Sequence, residues 1–476
     1  MAPPTPAYPL ELDGPTMRQM VDLAMERIVS HIATLPTQPM HATRGGRKLA
    51  RSLREPLPEE GKPFPWLLDR LFRVIPRSLN TASPGYLAYV PGGGLFHSAV
   101  ADLVADATNR YVGVFIAAPG LVELEANVVR WCAQIVGLPE GAGGVLTSGG
   151  SLSNLIAVVT ARHDRLPRDF LRGTLYCSRE VHHSVVKAAL VAGFPPDNIR
   201  PIPSDDSFRM LLPALVEAIR VDRVAGLQPF LVVGSAGTTP TGAVDDLGAL
   251  ADLAREEGLW FHVDAAYGGF FALTERGRAA MRGIERADSV TLDPHKGLFL
   301  PYGTGALVVR DPGTLRRAHA VPASYLPAMQ TEDDLVDFCE LSPELSRDFR
   351  GLRVWLPMKM HGAGVFRAAL DEKLDLARRA EAALRALPEV EIVAPPELSL
   401  LAFRIRAPGL AGEELERVQR RVLSGVNQRQ RVLLTGTTTH RGYVLRICVM
   451  SFRTHAANID ACVEDVAAAI RDALGG

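Results

Sequence analysis

Two ionisable side chains stand at the ends of apolar runs, where they could bind a small molecule and react with it. Lys296 follows the run Ser289–Leu292, inside the segment Asp-Pro-His-Lys-Gly, and Asp264 follows the run Trp260–Val263. A buried lysine is costly unless its amine is neutral, paired or used covalently, and a buried aspartate needs a cationic partner. The pair therefore fits either ordinary ion pairing, with any arginine beside Asp264, or a reactive lysine beside a carboxylate that binds a cationic ring nitrogen.

A segment of small residues, Thr147–Asn154, adds a candidate site for an anion. It reads Thr-Ser-Gly-Gly-Ser-Leu-Ser-Asn, follows a short apolar run and opens a helical pattern. Small residues let backbone N–H groups approach a phosphate, and a helix N-terminus adds partial positive charge. An ordinary serine-capped helix is the alternative. Neither the P-loop spacing nor the glycine spacing of dinucleotide-binding segments occurs here.

Two adjacent histidines, His182 and His183, follow the apolar run that ends at Cys177. Neighbouring side chains on a helix point in different directions, so these two are poor ligands for one metal ion. One of them fits a helix-capping or core role, or an imidazole stacked on a planar cofactor. No His-Glu-x-x-His or other metal spacing occurs, and we expect no metal site.

Composition narrows the class of protein. The chain has 476 residues, 47% of them hydrophobic, with 52 Lys+Arg against 53 Asp+Glu and a net charge of −1. This balance gives no field to attract nucleic acid or an anionic membrane, and no apolar run approaches the ~18 residues of a membrane span. The N-terminus lacks a secretory signal pattern, and the five scattered cysteines argue against a disulfide framework. We expect a soluble, cytoplasmic enzyme.

From about residue 86, short apolar runs alternate with helical patterns. Alternation of this kind is typical of a mostly parallel sheet with helices on both faces. In such sheets the site lies beyond the carboxyl ends of the strands. The predicted strands are Gly144–Thr147, Thr174–Cys177, Phe230–Ser235, Trp260–Val263, Ser289–Leu292 and Ala306–Val309, and the predicted helices include Leu152–Arg162, Ala214–Val221 and Leu247–Glu257.

The two ends of the chain differ from this central part. Apolar residues at helical spacing after Thr16, a candidate N-cap, predict an N-terminal helix. A long helix over Val365–Leu387, which ends at Pro388, precedes a module of mixed strands and helices. We therefore predict a helical segment at 1–85, a large α/β domain at 86–375 and a small α+β domain at 376–476.

Five segments occur in the order seen in a known enzyme family. The chain resembles the group II pyridoxal-phosphate-dependent amino-acid decarboxylases, in the branch of the aromatic-L-amino-acid and tyrosine decarboxylases. The resemblance extends from about Thr16 to the end of the chain, and it implies the aspartate-aminotransferase-like fold, fold type I. The segments are Ser148–Asn154, His182–Ala188, Gly237–Thr239, His262–Tyr267 and Asp293–Lys296.

The resemblance implies a role for each matching residue. Lys296 forms the Schiff base with pyridoxal phosphate, Asp264 pairs with the pyridinium nitrogen, and His182 stacks on the ring face. The other implied contacts come from small or polar residues: Gly150, Ser151 and Asp293 at the phosphate, Ala266 under the ring, Thr238 beside the cofactor and His295 next to the lysine.

The implied reaction is decarboxylation of an L-amino acid, with aromatic side chains favoured, to the amine and carbon dioxide. It passes through the Lys296 Schiff base and a quinonoid, and the bond to the carboxylate must stand perpendicular to the ring. The cofactor supplies the chemistry and the protein supplies orientation and electrostatics. The resemblance also implies a homodimer whose N-terminal helices embrace the partner, with sites at the interface.

Two departures from the family pattern bear on the substrate and the product. Relatives that act on large aromatic substrates carry bulky residues where this chain has Thr81 and Ala82, and Tyr89 and Val90 follow as a pocket wall. The pocket is therefore expected to be roomier, or shaped for another side chain.

The second departure concerns a mobile loop whose tyrosine protonates the substrate carbon in these decarboxylases. Counting back from Phe349–Trp355 places this position at Phe338, which has no proton to give. A phenylalanine there diverts some relatives to an aldehyde, ammonia and peroxide. Alternatively the register is shifted, and Tyr325 or His182 donates. A transaminase or carbon–sulfur lyase on the same fold is the rival enzyme class, and a silent cofactor-binding protein would be expected to lose Lys296 or Asp264.

Overall fold

The computed structural model describes residues 8, 10–90, 92–321, 329–330, 332 and 334–475. The first three α-helices of the chain contain no buried residue: α1 Gly14–Thr34, α2 Gly46–Ser52 and α3 Phe64–Val74. The prediction that Thr16 caps α1 is wrong, because Asp13 holds that position and accepts the Thr16 N–H at 2.7 Å. A carboxylate is a good acceptor for the free N–H groups of a first helical turn.

A seven-stranded sheet forms the centre of the molecule, in the order β1-β7-β6-β5-β4-β2-β3. All neighbouring strands are parallel except β7, which is antiparallel to both β1 and β6. The predicted mostly parallel α/β sheet is confirmed. The strands are β1 Gly143–Thr147, β2 Gly173–Ser178, β3 Ile199–Ile202, β4 Gln228–Ser235, β5 Trp260–Asp264, β6 Ser289–Leu292 and β7 Gly305–Val309.

Helices cover both faces of this sheet, as the burial of β4 shows. Val232 packs in one apolar cluster with residues such as Leu250, while Leu231 and Val233 pack in another with residues such as Ala188. Successive strand residues point to opposite faces of the sheet, so both faces are buried against apolar side chains. The helices are α4 Phe96–Thr108, α5 Pro119–Ile135, α6 Gly150–Arg165, α7 His183–Val191, α8 Leu212–Val224, α9 Leu247–Glu257, α10 Glu275–Ala280, α11 Pro294–Gly297 and α12 Pro312–His319.

The long helix α13, Gly351–Arg385, leads from the large sheet to a second one and is broken at Gly362, which has φ +73°. The second sheet is antiparallel, in the order β10-β11-β9-β8. The C-terminal part of α13 and two further helices pack with it around a separate apolar cluster. These elements are β8 Val390–Ala394, β9 Leu400–Ile405, α14 Gly412–Gln428, β10 Thr435–Thr439, β11 Gly442–Cys448 and α15 Ala456–Leu474. Among the described residues, no helix is long and apolar enough to cross a bilayer.

Candidate active site

The residues predicted to do chemistry follow the ends of adjacent parallel strands. His182 comes shortly after β2, Thr238 after β4 and Asp293 directly after β6, while Asp264 is the last residue of β5. Because β2, β4, β5 and β6 are parallel neighbours, their carboxyl ends meet at one edge of the sheet. This is the edge at which open α/β sheets bind ligands.

Lys296 is presented by α11, a single turn that begins as soon as β6 ends. Its Nζ lies 2.8 Å from Asp293 Oδ2. Burial alone would lower the pKa of the Lys296 ammonium, but Asp293 and, to a smaller extent, Asp264 outweigh burial, so that pKa is raised. The Lys296 ammonium is therefore held in an ion pair with Asp293.

Asp264 is a buried carboxylate whose described partners are all neutral. Its Oδ2 accepts the Asn154 side-chain amide at 3.0 Å, and its Oδ1 accepts the Ala266 N–H at 3.2 Å. Only 8% of Asp264 is exposed, and the ion pairs formed by the described residues do not include it. A buried carboxylate with only neutral partners favours a cation beside it.

His182 stands at the N-cap position of α7, and its side chain accepts the Ser184 N–H at 3.3 Å. Its Nδ1 is also 2.7 Å from Ser184 Oγ. Burial lowers the pKa of the His182 imidazole, against an opposing effect of Asp264. The ring is therefore neutral at neutral pH, and a neutral imidazole can lie against an aromatic face without the cost of burying a charge.

The start of α6 provides the expected anion site. Gly149 has φ +153°, and a Cβ on Gly150 would lie 3.1 Å from Ala266 Cβ and 3.2 Å from Asp293 Oδ2. A side chain on Gly150 would therefore crowd two neighbouring strand ends. The first N–H groups of a helix have no partner within it, so those of Gly150 and Ser151 are available to a ligand.

Two further predicted residues complete the edge of the site. His295 Nδ1 is 2.6 Å from the Thr304 carbonyl oxygen, so it carries the proton and donates it, and Nε2 lies 3.7 Å from Asp293 Oδ2. Thr238 is buried, with its Oγ1 3.0 Å from Thr241 Oγ1.

These groups enclose a cavity of about 320 Å³. A cavity of this size suits a small organic cofactor. Its lining offers a lysine, an unpaired carboxylate, a flat imidazole and a helix N-terminus, which are the groups that a pyridinium ring with an aldehyde and a phosphate arm needs. All nine predicted cofactor residues line it: Gly150, Ser151, His182, Thr238, Asp264, Ala266, Asp293, His295 and Lys296.

Of the four predicted substrate-pocket residues, only Val90 lines this cavity. Tyr89 is 58% exposed and has a left-handed backbone, with φ +53°, which is uncommon outside glycine. Thr81 hydrogen-bonds the side chain of Tyr302, whose ring lies 5.8 Å from that of His295. Thr81 is therefore linked to the cavity mouth through Tyr302, and neighbouring Ala82 is partly buried.

The structure does not bring Phe338 to the site. Phe338 is 1% exposed, in a short 3₁₀ turn, and lies in the main apolar core with the Arg347 guanidinium 4.9 Å from its ring centre. Arg347 in turn pairs with Glu125 at 2.5 Å, deep in the interior. An aromatic ring anchored in this way packs in the core of this chain, and the assignment of the loop-tip position to Phe338 stays a prediction. The alternative donor Tyr325 lies outside the described residues.

The residues that sequence reasoning missed include two polar residues that line the cavity and one buried arginine that does not. Asn154 and Ser184 line it and hydrogen-bond each other at 2.9 Å, but buried polar groups inside helical segments have no distinctive spacing. Arg446 is buried beside Tyr267 and Cys448, and its Nε and Nη2 have no hydrogen-bond partner among the described residues. The sequence signal that could have identified Arg446 is a charged residue within the otherwise apolar strand β11.

A buried carboxylate facing a lysine, beside a helix start open to an anion, on a mostly parallel seven-stranded sheet, defines the fold type I class of pyridoxal-phosphate-dependent enzymes. The chain belongs to the pyridoxal-dependent decarboxylase family, because the model of the "Pyridoxal-dependent decarboxylase conserved domain" matches residues 47–406. It is therefore a pyridoxal-phosphate-dependent carboxy-lyase, as the resemblance implied.

Individual relatives agree over almost the whole chain. An aromatic-L-amino-acid decarboxylase of Bacillus atrophaeus is 35% identical over 94% of this chain and 93% of its own. The structure of Catharanthus roseus tryptophan decarboxylase in complex with L-tryptophan has a TM-score of 0.90 at 28% identity, covering 97% of this chain and all of that one. Rhodiola rosea 4-hydroxyphenylacetaldehyde synthase has a TM-score of 0.90 at 25% identity, covering 97% and 99%.

Proposed function

We propose that this protein removes the carboxylate of an L-amino acid, preferably an aromatic one, and releases the amine and carbon dioxide. The observation that carries the proposal is the placement of Lys296 and Asp264 in one cavity beside the α6 N-terminus. The names of the relatives support the substrate class, and the family supports the reaction.

Three residues act on the bound cofactor, which when bound withdraws electrons from the bond that breaks. Lys296 would hold the cofactor covalently through its side-chain amine. Asp264 holds a proton on the ring nitrogen, because an unpaired buried carboxylate favours a cation beside it. His182 would stack on the ring and exclude water from it.

The contacts with the phosphate come from α6. The N–H groups of Gly150 and Ser151 hold it, and the helix N-terminus adds favourable charge. Asp293 has a different role from the one the resemblance implied, because its carboxylate is 2.8 Å from Lys296 and would repel a phosphate. We propose that Asp293 orients Lys296, and that His295 and Thr238 support the cavity wall.

The proton that completes the amine comes from a residue other than Phe338. His182 is poorly suited, because its neutral ring carries only a weakly acidic N–H and Nδ1 is occupied by Ser184. Tyr325, the alternative left by the sequence, is the donor we propose. The aldehyde-forming reaction, named in the Rhodiola rosea relative, remains the second candidate, and a transaminase or lyase the third.

The chain is proposed to work as a homodimer with sites at the interface. Apolar side chains on α1 and α3 are exposed, including Met17 at 50%, Trp66 at 45% and Leu71 at 54%. Segments that expose this much apolar surface need a partner surface.

We also propose the division into units at 1–85, 86–375 and 376–476, although residue 375 falls inside α13.

One experiment separates the candidates. The holoenzyme is incubated with a panel of L-amino acids, and carbon dioxide, amine, aldehyde, ammonia and peroxide are measured together. A decarboxylase gives equal amounts of carbon dioxide and amine, whereas aldehyde with peroxide supports the second candidate and absence of carbon dioxide refutes both. Borohydride reduction followed by peptide mapping must label Lys296, and Lys296→Ala must abolish the label.

A further inference from the structure

A buried network of hydrogen bonds has Asn154 at its centre. Asn154 is 1% exposed, and its Nδ2 donates to Asp264 Oδ2 at 3.0 Å and to Ser184 Oγ at 2.9 Å. Its Oδ1 accepts from Thr291 Oγ1 at 2.7 Å and lies 3.1 Å from His262 Nε2. Both amide hydrogens and both carbonyl lone pairs are therefore used.

Chemistry allows one arrangement of protons on the outer side of this network. An ionised Asp264 only accepts, so the Asn154 amide nitrogen must face it and the oxygen must face His262. His262 Nε2 is then the donor. Burial lowers the pKa of His262 to about 4, so the ring is neutral and its Nδ1 accepts, at 2.8 Å, from Ser289 Oγ. Ser289 Oγ in turn accepts the Trp260 indole N–H, which can only donate, at 2.8 Å.

The inner side of the network is equally determined. Ser184 Oγ accepts from Asn154, so its own hydrogen goes to His182 Nδ1 at 2.7 Å. The Ser184 N–H approaches the same nitrogen at 3.3 Å. His182 Nδ1 is thus a double acceptor, and the proton of the neutral ring lies on Nε2.

We propose that Asn154 is a positioning residue that holds Asp264 and His182 in one orientation and one protonation state relative to the cofactor ring. The inference rests on the proposed function, which gives Asp264 and His182 their roles. Asn154 joins residues that are distant in the sequence. Its position requires a side chain of this length that has two hydrogen-bond donors and two acceptor sites. Aspartate lacks the donors, and leucine lacks every polar group.

The test compares Asn154→Leu and Ser184→Ala with Thr160→Val. Thr160 is a matched control, because it is fully buried in the same helix and hydrogen-bonds Ile156 O at 2.7 Å without lining the cavity. Each holoenzyme is titrated with acid and base while the visible absorption of the bound cofactor is followed, without substrate. The ionisable groups that face His182 are Asp264, His183, Lys296 and Asp293, and all remain in every variant.

Asn154→Leu is expected to shift the pH midpoint of that absorption change and to lower kcat, with little change in KM. The loss should be about 10- to 100-fold, as for partners that orient metal ligands. Ser184→Ala removes only the hydrogen bond to His182, so its loss in kcat should be smaller. In the double variant this loss should not add to that of Asn154→Leu. Thr160→Val should keep the wild-type midpoint and kcat.

Two results would overturn the proposal: a wild-type midpoint in Asn154→Leu, or an equal shift in Thr160→Val. If Asn154→Leu does not fold, Ser184→Ala decides, with a shifted midpoint supporting the proposal and an unchanged one refuting it. Failure of the proposed function can be told apart from failure of this inference. A wild-type protein that releases no carbon dioxide from any amino acid would refute the proposed function, whereas the pH midpoint of the cofactor absorption would still show whether Asn154 affects it.

Discussion

At the scale of single residues, the surroundings decide what each buried carboxylate does. Asp245 accepts two backbone N–H groups, from Met210 and Ser235, and burial raises its pKa to about 6. Asp264, the last residue of β5, opens onto the cavity instead. The first is a structural acceptor, whereas the second is available to a cationic ligand.

Asp264→Asn is expected to lower kcat far more than it lowers cofactor affinity. An amide cannot hold the ring nitrogen protonated, and losing one preorganised electrostatic group costs on the order of 10²–10³-fold. Stopped-flow turnover and equilibrium cofactor titration measure the two effects. Asp222→Asn is the control, because Asp222 is buried against Arg200 and Tyr176 and does not line the cavity. Wild-type turnover in Asp264→Asn would refute the ring-pairing role.

The two candidate proton-donor positions are separated by a pair of substitutions. Tyr325→Phe should lower the amine formed per carbon dioxide and raise aldehyde and peroxide, because the substrate carbon then lacks its acid. Phe338→Tyr should leave the products unchanged and cost about 1–3 kcal/mol of unfolding free energy, since it buries a hydroxyl without a designed partner. Product analysis and denaturant melts measure both. Changed products in Phe338→Tyr alone would support the assignment of Phe338 to the loop tip.

At the scale of elements, α6 connects the site to the outer helical layer. Its first turn faces the cavity, and its second turn carries Asn154. Farther along the helix, Thr160 Oγ1 is 3.1 Å from His319 Nε2 on α12. Burial lowers the pKa of His319 to about 4 from an ordinary value of 6.5. The α6–α12 contact therefore contains a histidine that is neutral when folded.

This contact should make the fold sensitive to acid. The unfolded chain binds a proton at His319 below pH 6.5, whereas the folded chain resists it until about pH 4. Stability is therefore complete above pH 6.5 and falls as the pH is lowered towards 4. His319→Gln should reduce the fall in Tm across this range, with His262 responsible for part of the remainder. An unchanged slope in His319→Gln would contradict the assignment.

At the scale of the whole molecule, the N-terminal helices α1 and α3 have the least of their apolar surface covered by their own chain. Helices α1 and α3 contact each other through the Arg27–Asp69 ion pair at 2.6 Å and the ring contact of His31 with Phe72. None of their residues is buried, however. A second copy is the natural cover for such a surface in an enzyme whose sites are proposed to lie at an interface.

The native protein should have twice the chain mass of 51.5 kDa in light scattering. Leu67→Glu combined with Leu71→Glu places charges on the exposed apolar face of α3 and should give monomers with little activity. Val224→Glu is the control, since Val224 is 79% exposed at the end of α8 and its substitution should leave the mass unchanged. A fully active monomer would refute the dimer proposal.

The amino-acid sequence by itself determined the elements and residues whose signals are local. Strand β6 and helix α9 begin and end where the apolar pattern places them. The cofactor follows from the family resemblance, and the motifs that carry this resemblance can be read from the sequence because each lies within a few neighbouring residues. Two strands were missed for the same reason: β3 is an edge strand containing Pro201, and β10 consists of threonine and glycine with no apolar run.

Tertiary structure decided what depends on partners far along the chain. Asn154 and Asp264 are 110 residues apart, and only the folded sheet brings the amide to the carboxylate. Phe338 was counted into a loop from its distance to Phe349–Trp355, but the buried Arg347–Glu125 pair holds it in the core. A hydrogen bond or a packed ring is made by atoms that meet in space, and local sequence pattern carries little information about which distant atoms those are.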